Sequence, residues 1–326
     1  MIITRAPLRI SLAGGGTDLP SYFLGKGTSW IAGAINKYCY TMINDRFSEG
    51  HLLKYSISEE CKEIGDIKHE LIRETLKFLP PKNYLEITFT ADLPGGTGLG
   101  SSGSFLVSLL HALHAHRKET VSAVQLAEEA TEIEMKLLKK PIGLQDQYIS
   151  SIGGITEFEV NPLGKLTFTA LPLSSHETQN LENRLGLFFT GQTRLSSSIL
   201  QNQVDRTIMQ DQEMIQDLES VTKDYVKIKE CIMKQDISKL GDFFDLHWKR
   251  KRIRVAGMTN PNLDKIYDRA VEHYAYGGKL IGAGGGGFMI FATDKKKLLS
   301  ETLKELGIEE ISYRFVDDGA TLLYRH

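Results

Sequence analysis

From Leu85 to Thr90 the chain alternates apolar and polar residues, as a strand does when one face is packed and the other is wet. A glycine- and serine-rich stretch follows, and the run beyond it, F-L-V-S-L-L-H-A-L-H-A-H, predicts a helix over 101–116. Upstream, residues 2–12 read as a strand entering a glycine turn, Gly14-Gly15-Gly16-Thr17-Asp18, where Pro20 blocks simple continuation of a helix. Residues 29–46 and 51–57 read as strands rich in β-branched and aromatic side chains. A helix is expected over 61–79, with Leu71, Ile72, Leu76 and Leu79 on one side.

A second helix is expected over 122–138, with Leu126, Ala130, Ile133 and Leu137 as its buried stripe. Two acids on it separate by their helical neighbours. Glu132 lies between Glu128 and Lys136 on a solvated face, whereas Glu134 lies between Ala130 and Leu138, at the margin of the stripe. A carboxylate in that position needs a partner, either a structural cation or a metal ion. Asp146 starts another helix, where an acid often serves only as a cap. Strands over 155–160 and 166–171 complete this half.

The polar segment 174–181 is expected to be a loop joining two domains, residues 1–180 and 181–326. Beyond it come a strand over 185–190, largely helical sequence over 201–250, and a helix opened by Asn260-Pro261. A strand over 279–281 enters a third glycine run, Gly282 to Gly287, and leaves along 288–292. A helix over 295–306 and strands over 310–316 and 321–324 close the chain. This order suggests an α+β fold with helices on one sheet face.

Composition narrows the function classes. A chain of 326 residues suits two domains. Its net charge of -2 offers no polyanion-binding surface, so no nucleic-acid partner is expected. Only Lys249 to Arg254, K-R-K-R-I-R, is strongly basic, and such runs usually face water. Three widely spaced cysteines form neither a disulfide framework nor a metal pattern, which fits a reducing compartment. No run of about 18 apolar residues could span a bilayer, no signal-peptide layout opens the chain, and the expected location is cytoplasmic.

The chemistry-bearing stretch is Pro94-Gly95-Gly96-Thr97-Gly98-Leu99-Gly100-Ser101-Ser102-Gly103. A glycine turn at a helix start presents convergent unpaired N–H groups and the positive end of the helix dipole, which suits phosphate. It is not a Walker P-loop, because no lysine follows the glycines. Gly98, Gly100 and Gly103 spell G-x-G-x-x-G, yet the preceding strand alternates instead of running continuously apolar as a Rossmann first strand does.

Three glycine motifs in this order resemble the GHMP kinases, and the resemblance spans essentially the whole chain. Pro94 to Ser102 matches that family's phosphate loop, Lys279 to Gly287 its C-terminal glycine motif, and Ala6-Pro7-Leu8-Arg9 through Asp18 its N-terminal motif. The N-terminal motif departs from the galactokinases, with Leu8 for glycine and Gly15-Gly16 for Glu-His, which argues against galactose. The version seen here is similar to the fucokinase and heptose 7-phosphate kinase branch. Phe189 to Arg194 with Ser196 and Ser197, and the region of His247-Trp248-Lys249, resemble the heptose kinases.

The resemblance implies a two-domain α+β fold, an N-terminal mixed domain and a C-terminal ferredoxin-like domain with the active site between them. It implies ATP and Mg2+ as cofactors and a small-molecule sugar phosphate as acceptor, phosphorylated at its anomeric hydroxyl; the alternatives are a free sugar of the fucose or galactose type and a non-catalytic nucleotide or sugar-phosphate sensor on the same fold, which the presence of both Glu134 and Asp146 disfavours. Asp146 is then the catalytic acid-base group with Arg9 beside it, and Glu134 and Ser102, with Ser101 as near rival, the magnesium ligands. Residues 94–103 bind ATP, and Gly15, Gly16, Thr17, Asp18, Arg194, Gly284 and Gly285 face the acceptor. A phosphate already on the sugar needs a cation, for which Arg194 is the first candidate and Lys249 the second.

Overall fold

The computed structural model describes residues 1–191 and 197–326. Arg194 therefore lies outside the described residues. Eleven strands are found among them, β1 Ile2–Ala13, β2 Thr28–Asp45, β3 His51–Lys54, β4 Ser58–Cys61, β5 Leu85–Ala91, β6 Ile155–Val160, β7 Leu166–Ala170, β8 Leu185–Phe189, β9 Gly277–Leu280, β10 Phe288–Ala292 and β11 Thr321–Arg325. Eight form one sheet in the order β11-β1-β2-β5-β3-β4, with β6 and β7 continuing from β2. The other three form an antiparallel sheet, β8-β10-β9.

The length of β2, 18 residues, shapes the large sheet. Along one edge it pairs with β1; along the other, its first half pairs with β6 and its second half with β5. Helices cover one face, and Leu106, Leu110 and Leu113 of the Ser101–His116 helix pack on Ile43, Leu53 and Ile87. Leu8, Ile10 and Leu12 of β1 share a second core with Phe244 and with Leu187, Phe288 and Ile290 of the small sheet. Each such fully buried side chain contributes roughly 1.5–3 kcal/mol. That shared core presses the two sheets together where β1 ends, and there the site forms.

Three expectations fail for local reasons. Residues 174–181 are not a loop: a helix spans Ser175–Arg184, opened by a reciprocal capping box between Ser174 and Glu177. Only Leu181 of that helix is buried, so its apolar period is nearly silent and the cap carries the signal. Residues 310–316 form no strand, because Glu310 bridges Phe188 of the small sheet while Phe315 bridges Ile35 of the large one. A segment strung between two sheets has no single neighbour for a ladder. The helix expected over 61–79 is only Glu70–Phe78, since Cys61 ends β4.

The chain then returns, and β11 pairs with β1. A division at 180–181 thus leaves residues 321–325 hydrogen-bonded into the first part's sheet. No helix among the described residues is long and apolar enough to cross a membrane.

Candidate active site

Pro7 cannot donate to the sheet ladder, and the register of β1 against β2 shifts just after it. Its carbonyl instead accepts from Ser104 Oγ at 2.7 Å and Ser150 Oγ at 2.9 Å. Those hydroxyls come from two helices, Ser101–His116 and Gln145–Ile152, so both are pinned to β1 where Arg9 leaves the core. Arg9 N in turn donates to Leu99 O at 2.9 Å, tying the strand to the glycine loop.

The loop's glycines clear space for specific neighbours. Gly100, at φ 79°, begins the Ser101–His116 helix with no side chain capping it. A Cβ there would stand 3.1 Å from Arg9 Cγ and 3.2 Å from Asp146 Cγ, and one on Gly103 only 2.8 Å from Asp146 Cβ. Gly98 abuts the carbonyl of Ile281, and Gly287 that of Thr97, so the third glycine run packs backbone to backbone on the loop. A methyl group at any of these positions would force the parts of the site apart.

Arg9 and Asp146 meet inside this clearance. Arg9 Nε and Nη2 both bind Asp146 Oδ1 at 2.7 Å, and Nη1 donates to Gly98 O at 2.6 Å. Oδ2 is left without a protein partner among the described residues. Asp146 is not a helix cap; that role falls to Asp18, whose Oδ2 accepts from Gln145 N at 3.3 Å. Asp18 is buried, and burial, helped by the nearby Asp146 charge, pushes its carboxyl above the usual range.

Glu134 lies deeper than its helical spacing implied. The helix over Ala123–Thr131 widens into a π-turn over Glu132–Leu137, which rotates the residues after Thr131 about the helix axis. Leu137 is consequently 47% exposed and not part of the buried stripe, while Glu134 is completely buried. Its Oε2 accepts from Gln147 Nε2 at 2.6 Å, the nearby Ser102 hydroxyl favours its charged form, and Oε1 has no hydrogen-bond partner. Burial raises its pKa. An orphaned carboxylate oxygen beside a hydroxyl and a phosphate loop fits Mg2+, which is held by one or two carboxylates with phosphates and waters supplying the rest. No cluster of three or more His, Cys, Asp or Glu residues suited to a metal exists among the described residues. Of the two serines, Ser102 lines the cavity, whereas Ser101 Oγ is buried without a partner.

Arg9, Ser102, Asp146, Gly15, Gly16 and Asp18 line one cavity of about 150 Å³. Thr17 is fully buried and does not line it. Of the third glycine run, Gly282 and Ala283 line the cavity, while Gly284 and Gly285 pack against Met258. On the opposite wall the sequence marks the regions of His247 and Lys279 by resemblance alone, and it misses Lys251, Arg254 and Gln203. On the Ile237–Arg254 helix, Leu240 and Phe244 begin a buried stripe that continues through His247, Lys251 and Arg254. The last three line the cavity together with Lys279 and Gln203. The basic run is thus split by its helical period. Lys249 is exposed and salt-bridged to Asp245 at 2.6 Å, so it is not a cavity cation, and Lys251 takes that place.

Models of known families match this chain twice. The GHMP kinases N terminal domain matches residues 67–154 and the GHMP kinases C terminal matches residues 228–309, together just over half of the chain. The chain belongs to the GHMP kinases. It is therefore an ATP-dependent kinase of the two-part α+β fold seen here. A D-glycero-alpha-D-manno-heptose 7-phosphate kinase of Campylobacter jejuni is 28% identical over 98% of this chain and 97% of its own length. The bifunctional fucokinase/GDP-fucose pyrophosphorylase of Arabidopsis thaliana is 26% identical over 92% of this chain, which spans 31% of that protein. The crystal structure of a D-glycero-D-manno-heptose 1-phosphate kinase from Bacteroides thetaiotaomicron covers all of both chains with a TM-score of 0.82 at 23% identity, a likeness of fold.

Proposed function

We propose that this kinase transfers the γ-phosphoryl group of ATP to the anomeric hydroxyl of D-glycero-D-manno-heptose 7-phosphate, giving the 1,7-bisphosphate for nucleotide-activated heptose synthesis. The observation that carries the proposal is the Arg9–Asp146 pair against the phosphate loop, in a cavity whose other wall is cationic. Similarity to the Campylobacter kinase over nearly the full length supports the choice of sugar.

Each residue then has a task. The loop 94–103 holds the ATP phosphates through the amides that follow Pro94. Asp146, oriented through Oδ1, takes the acceptor hydroxyl's proton as that oxygen bonds to the γ-phosphorus and the bond to the bridging oxygen of ADP breaks. Arg9 supplies fixed positive charge where a Walker lysine is lacking. Glu134 and Ser102 would hold Mg2+, which offsets phosphate charge when bound. Gly15, Gly16 and Asp18 shape the acceptor's end, and Arg194 remains a candidate there.

ADP release measured over free heptose, heptose 7-phosphate, fucose and galactose tests the substrate. Heptose 7-phosphate is expected to give the highest kcat/KM. Faster turnover of fucose or galactose would make this a free-sugar kinase instead.

A further inference from the structure

The Ile237–Arg254 helix carries its stripe of Leu240 and Phe244 into three basic side chains at the cavity, and these have almost no acids to answer them. Lys251 and Lys279 are both buried. Lys251 Nζ donates to the carbonyls of Leu280, at 3.1 Å, and Gly282. Lys279 Nζ donates to Leu12 O at 2.9 Å and lies 4.8 Å from the centre of the Phe244 ring. Neither has a carboxylate partner among the described residues. Arg254 Nε pairs with Asp217, but its Nη2 is buried with no partner. The His247 ring approaches to 3.6 Å from where Gly15 would carry a Cβ.

Acids elsewhere around the cavity are engaged with other partners, Asp146 with Arg9 and Asp18 with the Gln145 amide. The charges acting on Lys251 are Arg254, Lys279 and Arg9, and those on His247 are Lys279, Lys251, Arg254 and Arg250, all cationic. Burying like charges together is strongly unfavourable, and in the free protein only the Arg254–Asp217 pair and the carbonyl hydrogen bonds of the two lysines offset it. We infer that His247, Lys251, Arg254 and Lys279 form a preformed seat for the acceptor's own phosphate, a phosphomonoester dianion, and select phosphorylated over free sugars. This rests on the acceptor assignment made above.

One consequence is proton uptake. Burial and neighbouring cations depress all three titratable groups, Lys279 to about 7. A bound dianion favours their charged forms, so above pH 7, where Lys279 of the free protein has largely lost its proton, binding draws a proton from solution.

Calorimetry in two buffers of different ionisation enthalpy tests this, with a non-hydrolysable ATP analogue saturating the phosphate loop. Wild type is titrated with inorganic phosphate, heptose 7-phosphate and free heptose, alongside Arg254→Met, Arg254→Lys and Lys279→Met. Arg254→Met is expected to weaken heptose 7-phosphate and inorganic phosphate by about 30-fold or more, with free heptose little changed and Arg254→Lys intermediate. Lys279→Met is expected to abolish proton uptake, and without ligand to melt at or above wild type, because it removes a buried charge. Equal weakening of both sugars by Arg254→Met overturns the seat. So does loss of wild-type phosphate binding once the ATP analogue is present, or a lower melting temperature for Lys279→Met with phosphate binding intact, which would make Lys279 a tether between strands. If wild type phosphorylates no heptose phosphate, yet inorganic phosphate binds and Arg254→Met abolishes that binding, the acceptor assignment fails and the anion seat stands.

Discussion

Arg9 and Asp146, on one wall of the cavity, neutralise each other across 2.7 Å, whereas Lys251 and Lys279, on the other, are buried with only carbonyl oxygens for hydrogen-bond partners. The first wall is preorganised: its helices are pinned to Pro7, and its carboxylate is held through one oxygen with the other free. The second wall holds basic groups that, Arg254 apart, have no carboxylate partner among the described residues. Chemistry at a reacting atom requires orientation, and recognition of an anion requires uncompensated charge, so the two walls are built in opposite ways from similar residues.

The comparison breaks first at Asp146. Asp146→Asn keeps the shape and removes the proposed proton acceptor, so kcat should fall about 10²- to 10⁴-fold with affinity for an ATP analogue nearly intact. Wild-type turnover would remove Asp146 from the mechanism. Next, Glu134→Gln retains a partner for Gln147 but deletes the anion, and the Mg2+ concentration giving half-maximal rate should rise at least about tenfold. An unchanged magnesium dependence would leave Glu134 a structural residue.

Lys279→Met sharpens the second wall through stability. The folded-state pKa of Lys279 is depressed to about 7 from an ordinary 10.5, so its burial opposes folding fully below pH 7. That cost fades as pH rises from 7 toward 10.5, where the unfolded chain also loses its proton. Denaturant titrations should therefore show Lys279→Met gaining on wild type most at or below neutral pH, with the gain shrinking in alkali. A difference that does not vary with pH would mean that Lys279 titrates alike in the folded and unfolded chain. The smallest effect is expected two residues before Lys251. Lys249→Ala breaks only an exposed i,i+4 pair with Asp245, costing at most about 1 kcal/mol, and should leave kcat/KM for heptose 7-phosphate unchanged.

Much of the first wall was legible because it is local. The alternating strand, the glycine loop and the helix over 101–116 lie in one continuous stretch, and Asp146 and Arg9 stand in recognisable motifs. The close approaches that Gly100 and Gly103 permit were not legible, since those contacts join residues far apart in sequence. Glu134 could be singled out by its neighbours, but its depth depends on a π-turn that a regular helical period cannot reveal. The second wall left a usable signal, the spacing 240, 244, 247, 251, 254, masked by the surrounding basic run. Separating Lys251 from Lys249 requires phasing that run on its helix instead of treating it as one charged patch.

Phosphorus NMR of a reaction containing ATP, Mg2+ and heptose 7-phosphate tests the central claim most directly. With wild type, a new anomeric phosphate resonance should grow while the 7-phosphate resonance persists, and Asp146→Asn should produce it at least about a hundredfold more slowly. A phosphate appearing on any other position, or ATP consumed with no new sugar phosphate, would contradict the account.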